Sequence, residues 1–162
     1  MRTRIAVLCL GLLAEPAGLV GETSSVRVSD GFAAAALRRA VKAARRRLAN
    51  PECRRLLSDF TTTPGRLLRA SLDDHGQAPE EYLETVLFYD GSASRHCADR
   101  KTLAVTTPGS RVVFVCSPLV AKVRSGKVEA MVIHEMLHSL GLGEDPPSGS
   151  EITAQVVTRC GL

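Results

Sequence analysis

His134-Glu135-Met136-Leu137-His138 constrains the fold more tightly than any other stretch of this chain. Histidines four residues apart lie on one face of an α-helix, so their imidazoles can reach a common point. Lys127 to Leu140 reads as that helix, and Gly141 follows where a left-handed C-terminal cap is expected. Two convergent imidazoles are the usual start of a zinc site, with His134 and His138 as ligands. Glu135 lies one step round the helix, beside the metal's open position rather than on it. It is placed to take a proton from a water there. Such an enzyme needs a solvent-accessible groove and one free metal position, whereas a structural zinc site is closed by four protein ligands.

The first residues point to export. Met1-Arg-Thr-Arg4 forms a charged start, and Ile5 to Ala14 is apolar. About ten apolar residues are too few to span a bilayer but suit a secretory signal. Residues 1–17 are therefore assigned to a signal, with Ala14 and Ala17 as candidate cleavage positions. No other segment is apolar enough to cross a membrane, so no stable insertion is expected once the signal is removed.

Cysteine usage agrees with this. Cys9 would leave with the signal, and Cys53, Cys97, Cys116 and Cys160 remain. An even number in a small exported domain suggests two disulfides, with three possible pairings. The expected pairs are Cys97–Cys116, closing a hairpin, and Cys53–Cys160, tying an early helix to the C-terminus. Each would stabilise the fold by about 2–4 kcal/mol. No C-x-x-C pair is present, which argues against a cysteine-based zinc site. The expected location is secreted or periplasmic.

Residues 18–162 suffice for one domain with one core. The chain has no tryptophan and few aromatics, so that core must rest on Leu, Val, Ala and Ile. There is no internal repeat and no low-complexity linker. The net charge of +4 is concentrated early, where Arg38, Arg39, Lys42, Arg45, Arg46 and Arg47 back an apolar stripe that includes Leu37, Ala40, Val41, Ala44 and Leu48. A polyanion could be attracted to such a face. No aromatic residues interleave with the arginines, so it reads as a solvated helix face and no nucleic-acid function is assigned. The expected partner is a peptide or protein substrate, and the chain is expected to act as a monomer.

The remaining pattern is α+β, with a small, mostly antiparallel sheet and several helices. Asp30 to Ala49 is the first helix, and Asn50-Pro51 opens a second toward Asp59. Phe60 to Pro79 is mostly turn-like, with Leu67, Leu68 and Leu72 apolar, and a short helical turn starts at Pro79. Thr85 to Tyr89 is a strand. Thr102 to Thr107 and Arg111 to Cys116 form a hairpin around Pro108-Gly109. Ser117-Pro118 opens a short helix, and Ser148-Gly-Ser-Glu151 fits a capping box before a terminal helix to Cys160.

His134, Glu135, His138, Gly141 and Glu144 together spell H-E-x-x-H-x-x-G-x-x-E. This resembles the zincin metallopeptidases, and within them the metzincin motif H-E-x-x-H-x-x-G-x-x-H. The resemblance covers about eleven residues tightly. It implies that Gly141 ends the helix and turns the chain so that Glu144 becomes the third zinc ligand. The sequence departs from the motif in ending on glutamate, and no methionine follows Met136 to form the methionine turn of that group. Asp145 and Glu151 compete for the third position, Glu151 because it begins a later helix and the third ligand of glutamate-type zincins lies on a later helix. His75, in a turn, and His96, beside Cys97, are remote candidates better suited to structural roles.

The activity implied is zinc-dependent hydrolysis of peptide bonds, with Glu135 as general base. Tyr82, Tyr89, His75 and His96 are candidates for a second donor to the oxyanion. An edge of the hairpin, from either strand, could receive an extended peptide. Two other readings stay open: a secreted non-catalytic module whose zinc organises the loop from Gly141 to Ser150, and a merely polar helix face.

Overall fold

Alanines at helical spacing let two helices of this protein meet closely at its centre. The computed structural model describes residues 25–98 and 101–162. Helix α1 (Gly31–Leu48) starts where the Asp30 side chain accepts from Ala33 N at 2.8 Å. Its buried positions Ala33, Leu37, Ala40, Ala44 and Leu48 follow the three-to-four spacing of one helical face. That face packs against α7 (Ser125–Ser139), the helix that carries both His134 and His138. Small side chains allow a close approach.

Between these two helices the chain forms α2 (Pro51–Arg54), α3 (Leu56–Asp59), α4 (Leu68–Asp73), α5 (Pro79–Tyr82) and α6 (Ser117–Val120). Asn50 caps α2 by accepting from Glu52 N, and proline fills the first position as its spacing suggests. Phe60 to Pro79, mostly turn-like by sequence, contains α4, with Leu68 and Leu72 fully buried. The last helix, α8 (Gly149–Cys160), begins at a capping box between Ser148 and Glu151 and ends at Gly161, whose φ of 65° suits a left-handed cap. Arg47 binds the end of α8, donating from Nη1 to the carbonyls of Cys160 (2.8 Å) and Gly161 (3.0 Å), while its Nε pairs with Glu129 of α7.

The strands are β1 (Val26–Arg27), β2 (Leu87–Asp90), β3 (Ala104–Thr106) and β4 (Val112–Val115), in the order β1-β2-β4-β3. The α+β class holds, but the sheet is mixed rather than mostly antiparallel. Only β3 and β4 pair antiparallel; β1 with β2 and β2 with β4 are parallel. The physical reason is the length of the connections. The Pro108-Gly109 turn reverses the chain within a few residues, with Ser110 N donating to Thr107 O at 2.9 Å and Gly109 at φ 82°. Strands β1 and β2 are instead joined through α1 to α5, and β2 reaches β4 only after β3. Such long returns permit parallel pairing.

Strand β3 is therefore an edge, and β4 lies inside the sheet. The hairpin turn also touches the central helix: Gly109 N donates to the carbonyl of His138 at 2.9 Å.

Two disulfides, Cys53–Cys160 and Cys97–Cys116, form as expected. The first ties α2 to the end of α8; the second ties the segment before β3 to the end of β4. They point to an oxidising environment. Among the described residues, no helix is long and apolar enough to cross a membrane. The expected signal, residues 1–17, lies outside the described residues.

Candidate metal centre

Helix α7 is buried almost all round from Val128 to Ser139, yet it carries His134, Glu135, His138 and Ser139 into that interior. Buried polar groups need partners. Ser139 finds them close by: its hydroxyl donates to Met136 O (2.7 Å) and lies 3.2 Å from the Tyr82 hydroxyl. The two histidines are partnered by loop and helix residues beyond Gly141, which turns the chain with φ 106°.

His138 Nδ1 lies 2.7 Å from the carbonyl of Leu142. A carbonyl only accepts, so Nδ1 carries the proton and Nε2 is left with its lone pair. His134 Nδ1 is held at 3.0 Å by Thr153 Oγ1, on α8. The two Nε2 atoms then face each other at 2.9 Å, and Glu144 Oε1 stands 3.1 Å from that of His138 and 3.4 Å from that of His134. Three electron-pair donors thus converge on one point. A tetrahedral ion with ligands at about 2.0–2.1 Å holds them about 3.3 Å apart, so the triangle has the size a divalent cation requires. His134, His138 and Glu144 can hold a metal ion together.

Burial, reinforced by the neighbouring His138 ring and opposed by Glu144, lowers the pKa of His134 to about 4. The imidazole is therefore neutral, as a metal ligand must be. Glu135 is also buried, and that burial raises its pKa to about 7 against the influence of His138 and the Thr106 hydroxyl. Its Oε2 has no hydrogen bond of ordinary geometry. An unpaired carboxylate oxygen beside a cluster of ligands is costly for stability and is typical of a reacting group.

Glu144 is aimed by the start of α8. A Cβ on Gly149 would stand 2.9 Å from Glu144 Oε1 and 3.2 Å from its Cδ, so glycine leaves the space that the carboxylate fills. Gly149 and Thr153 are one helical turn apart, so the same face of α8 receives Glu144 and orients His134.

These groups open into a cleft of about 310 Å³. One wall is the run from Lys101 to Ala104 leading into β3; the other is the α7 face of Lys127, Met131, His134 and Glu135, with Gly149 and Thr153 of α8. His138 lies deeper, 4% exposed.

The rival third ligands lie elsewhere. Glu151 Oε2 accepts from Ser148 N (2.8 Å) and Oγ (2.7 Å), and these bonds lower its pKa, as befits a helix cap. Asp145 is exposed and outside the cluster. His75 contacts Arg111 Nη2 at 3.2 Å and the Tyr82 ring, and His96 is exposed in the turn Arg95–Cys97. None of the four proposed oxyanion donors lines the cleft. Tyr82 is fully buried against Ser139, and Tyr89 receives a hydrogen bond from Arg27.

Sequence reading missed Thr106, Leu142, Gly149, Thr153 and the two lysines. The capping box already marked the start of α8, and helical spacing from it would have paired Gly149 with Thr153. Nothing local marks the Leu142 carbonyl. Comparison with known proteins adds no family: no family model, no curated protein and no solved structure matches this chain.

Proposed function

We propose that this protein is an exported zinc-dependent metallopeptidase in which His134, His138 and Glu144 hold zinc and Glu135 is the general base. The observation that carries this reading is the convergence of three donor atoms, both imidazoles fixed through Nδ1, next to a buried unpaired carboxylate in an open cleft. Two nitrogens and one oxygen suit zinc, and three protein ligands, with no fourth in the cluster among the described residues, favour a catalytic over a structural site. When bound, zinc would supply Lewis acidity, acidifying a water and polarising a carbonyl.

The chain's own residues do the rest. Glu135 accepts the proton of the attacking water and passes it to the leaving amine. The Leu142 carbonyl and Thr153 hydroxyl keep each imidazole's Nε2 directed at the centre. Strand β3, an edge beside the cleft, offers unpaired backbone groups to an extended peptide, which would bind by strand addition. The two disulfides support secretion or a periplasmic location.

The test is cleavage of a broad peptide library by the refolded, disulfide-intact protein, its Glu135→Gln variant and its Glu144→Gln variant. Cleavage only by wild type, with zinc retained in Glu135→Gln, is expected. Zinc retained by wild type without cleavage would instead fit a non-catalytic binding module.

A further inference from the structure

Resting on that reading, we infer that Thr106 is the positioning residue of the general base: its hydroxyl donates to the Glu135 carboxylate and fixes the orientation in which that carboxylate faces the cleft. Strand β3 alternates between two faces. Ala104 and Thr106 pair with Val115 and Val113, both fully buried, so these two residues point inward. Val105 pairs with the half-exposed Phe114 and points outward. The inner face of β3 packs against α7. Ala104 lines the cleft with Glu135, and Thr106 follows about 7 Å further along the same face. Just beyond it the hairpin turn is fastened to α7 through Gly109 N and the His138 carbonyl, 2.9 Å apart. Backbone contacts therefore set where Thr106 stands relative to Glu135.

Thr106 Oγ1 and Glu135 Oε2 are both buried, and neither has a hydrogen bond of ordinary geometry. A hydroxyl can donate and a carboxylate oxygen can accept, so each supplies what the other lacks. The hydroxyl is close enough to favour the charged form of Glu135 against its burial. Left alone, either group would cost stability in this interior. Valine or isoleucine would fill the same strand position without a donor. Branching at Cβ also limits the rotation of the threonine hydroxyl. One fixed donor restrains the carboxylate while leaving its other oxygen to accept the proton of the attacking water.

The test compares Thr106→Val, which keeps the shape and removes the donor, with Thr106→Ser, which keeps the donor. In the zinc-loaded proteins Thr106→Val is expected to lower kcat about tenfold, with KM and zinc affinity within about twofold of wild type, and Thr106→Ser to restore most of the loss. A valine variant with wild-type kcat overturns the inference, as does a loss that serine does not restore. A second readout needs neither zinc nor cleavage. In the metal-free protein Thr106→Val should lower the melting temperature by about 4 °C, whereas in a Glu135→Ala background it should leave it unchanged or raise it. Equal shifts in the two backgrounds overturn the inference. Unequal shifts without peptide cleavage by wild type support the contact between Thr106 and Glu135 while removing the peptidase reading.

Discussion

Gly149 and Glu144 approach closely: a Cβ added at residue 149 would stand only 2.9 Å from Glu144 Oε1. The opening residue of α8 thus decides where the third donor of the metal cluster can stand. Gly149→Ala should displace that flexible side chain rather than unfold the protein. Zinc affinity is expected to fall about tenfold, as for other changes to the groups that support ligands. The thermal midpoint of the metal-free protein should hold or rise, because alanine is the better helix former. Chelator competition and a melting curve check both; unchanged affinity would remove Gly149 from the site.

Thr153→Val keeps the shape of the side chain and removes the hydroxyl that holds His134 Nδ1. The ring would then be free to rotate, and zinc affinity is expected to fall by about 10-fold. Thr153→Ser should restore most of it. An affinity equal to wild type in the valine variant would show that packing on α7 alone orients the ring.

Asp90 links the end of β2 to the start of α1. Burial works against its charged form, but hydrogen bonds from the Ser29 hydroxyl and the Ser92 amide outweigh it, so its pKa is lowered well below the ordinary carboxylate range. A depressed folded-state pKa gives stability that is complete above the unfolded value, about 3.9, and is lost as pH falls through the folded value. Asp90→Asn should therefore be less stable than wild type at neutral pH, and the difference should close in strong acid. Denaturant midpoints measured from neutral pH downward test this; a gap that does not change with pH contradicts it.

The two disulfides should contribute unequally. Cys53–Cys160 spans 107 residues and Cys97–Cys116 spans 19. Closing the longer loop removes more unfolded-state entropy, about 5 against about 3 kcal/mol. Replacing Cys53 and Cys160 by alanine should lower the melting temperature more. Replacing Cys97 and Cys116 should instead weaken peptide binding more, because that bridge anchors the run carrying the Lys101–Ala104 wall. Calorimetry and peptide titration of the two double variants separate these effects.

Much of the scaffold was legible from local signals. The apolar stripe marked α1, Pro108-Gly109 marked the hairpin, and the Ser148–Glu151 box marked α8. His134 and His138 were evident from their spacing, and Glu144 from the resemblance to the metzincin motif, with Asp145 and Glu151 open beside it. Sheet order was not legible, because β1 is only two residues long and a parallel pairing leaves no turn between its strands. The supporting shell was equally hidden. The Leu142 carbonyl and Thr153 hydroxyl act through where the chain passes in space, and a backbone carbonyl has no residue type to announce it.

Zinc content after dialysis tests the central claim most directly, measured on the refolded, disulfide-intact protein beside Glu144→Gln. The account predicts one zinc per chain in wild type and a weakened or lost ion in the variant. A wild-type protein that holds no stoichiometric zinc would contradict it.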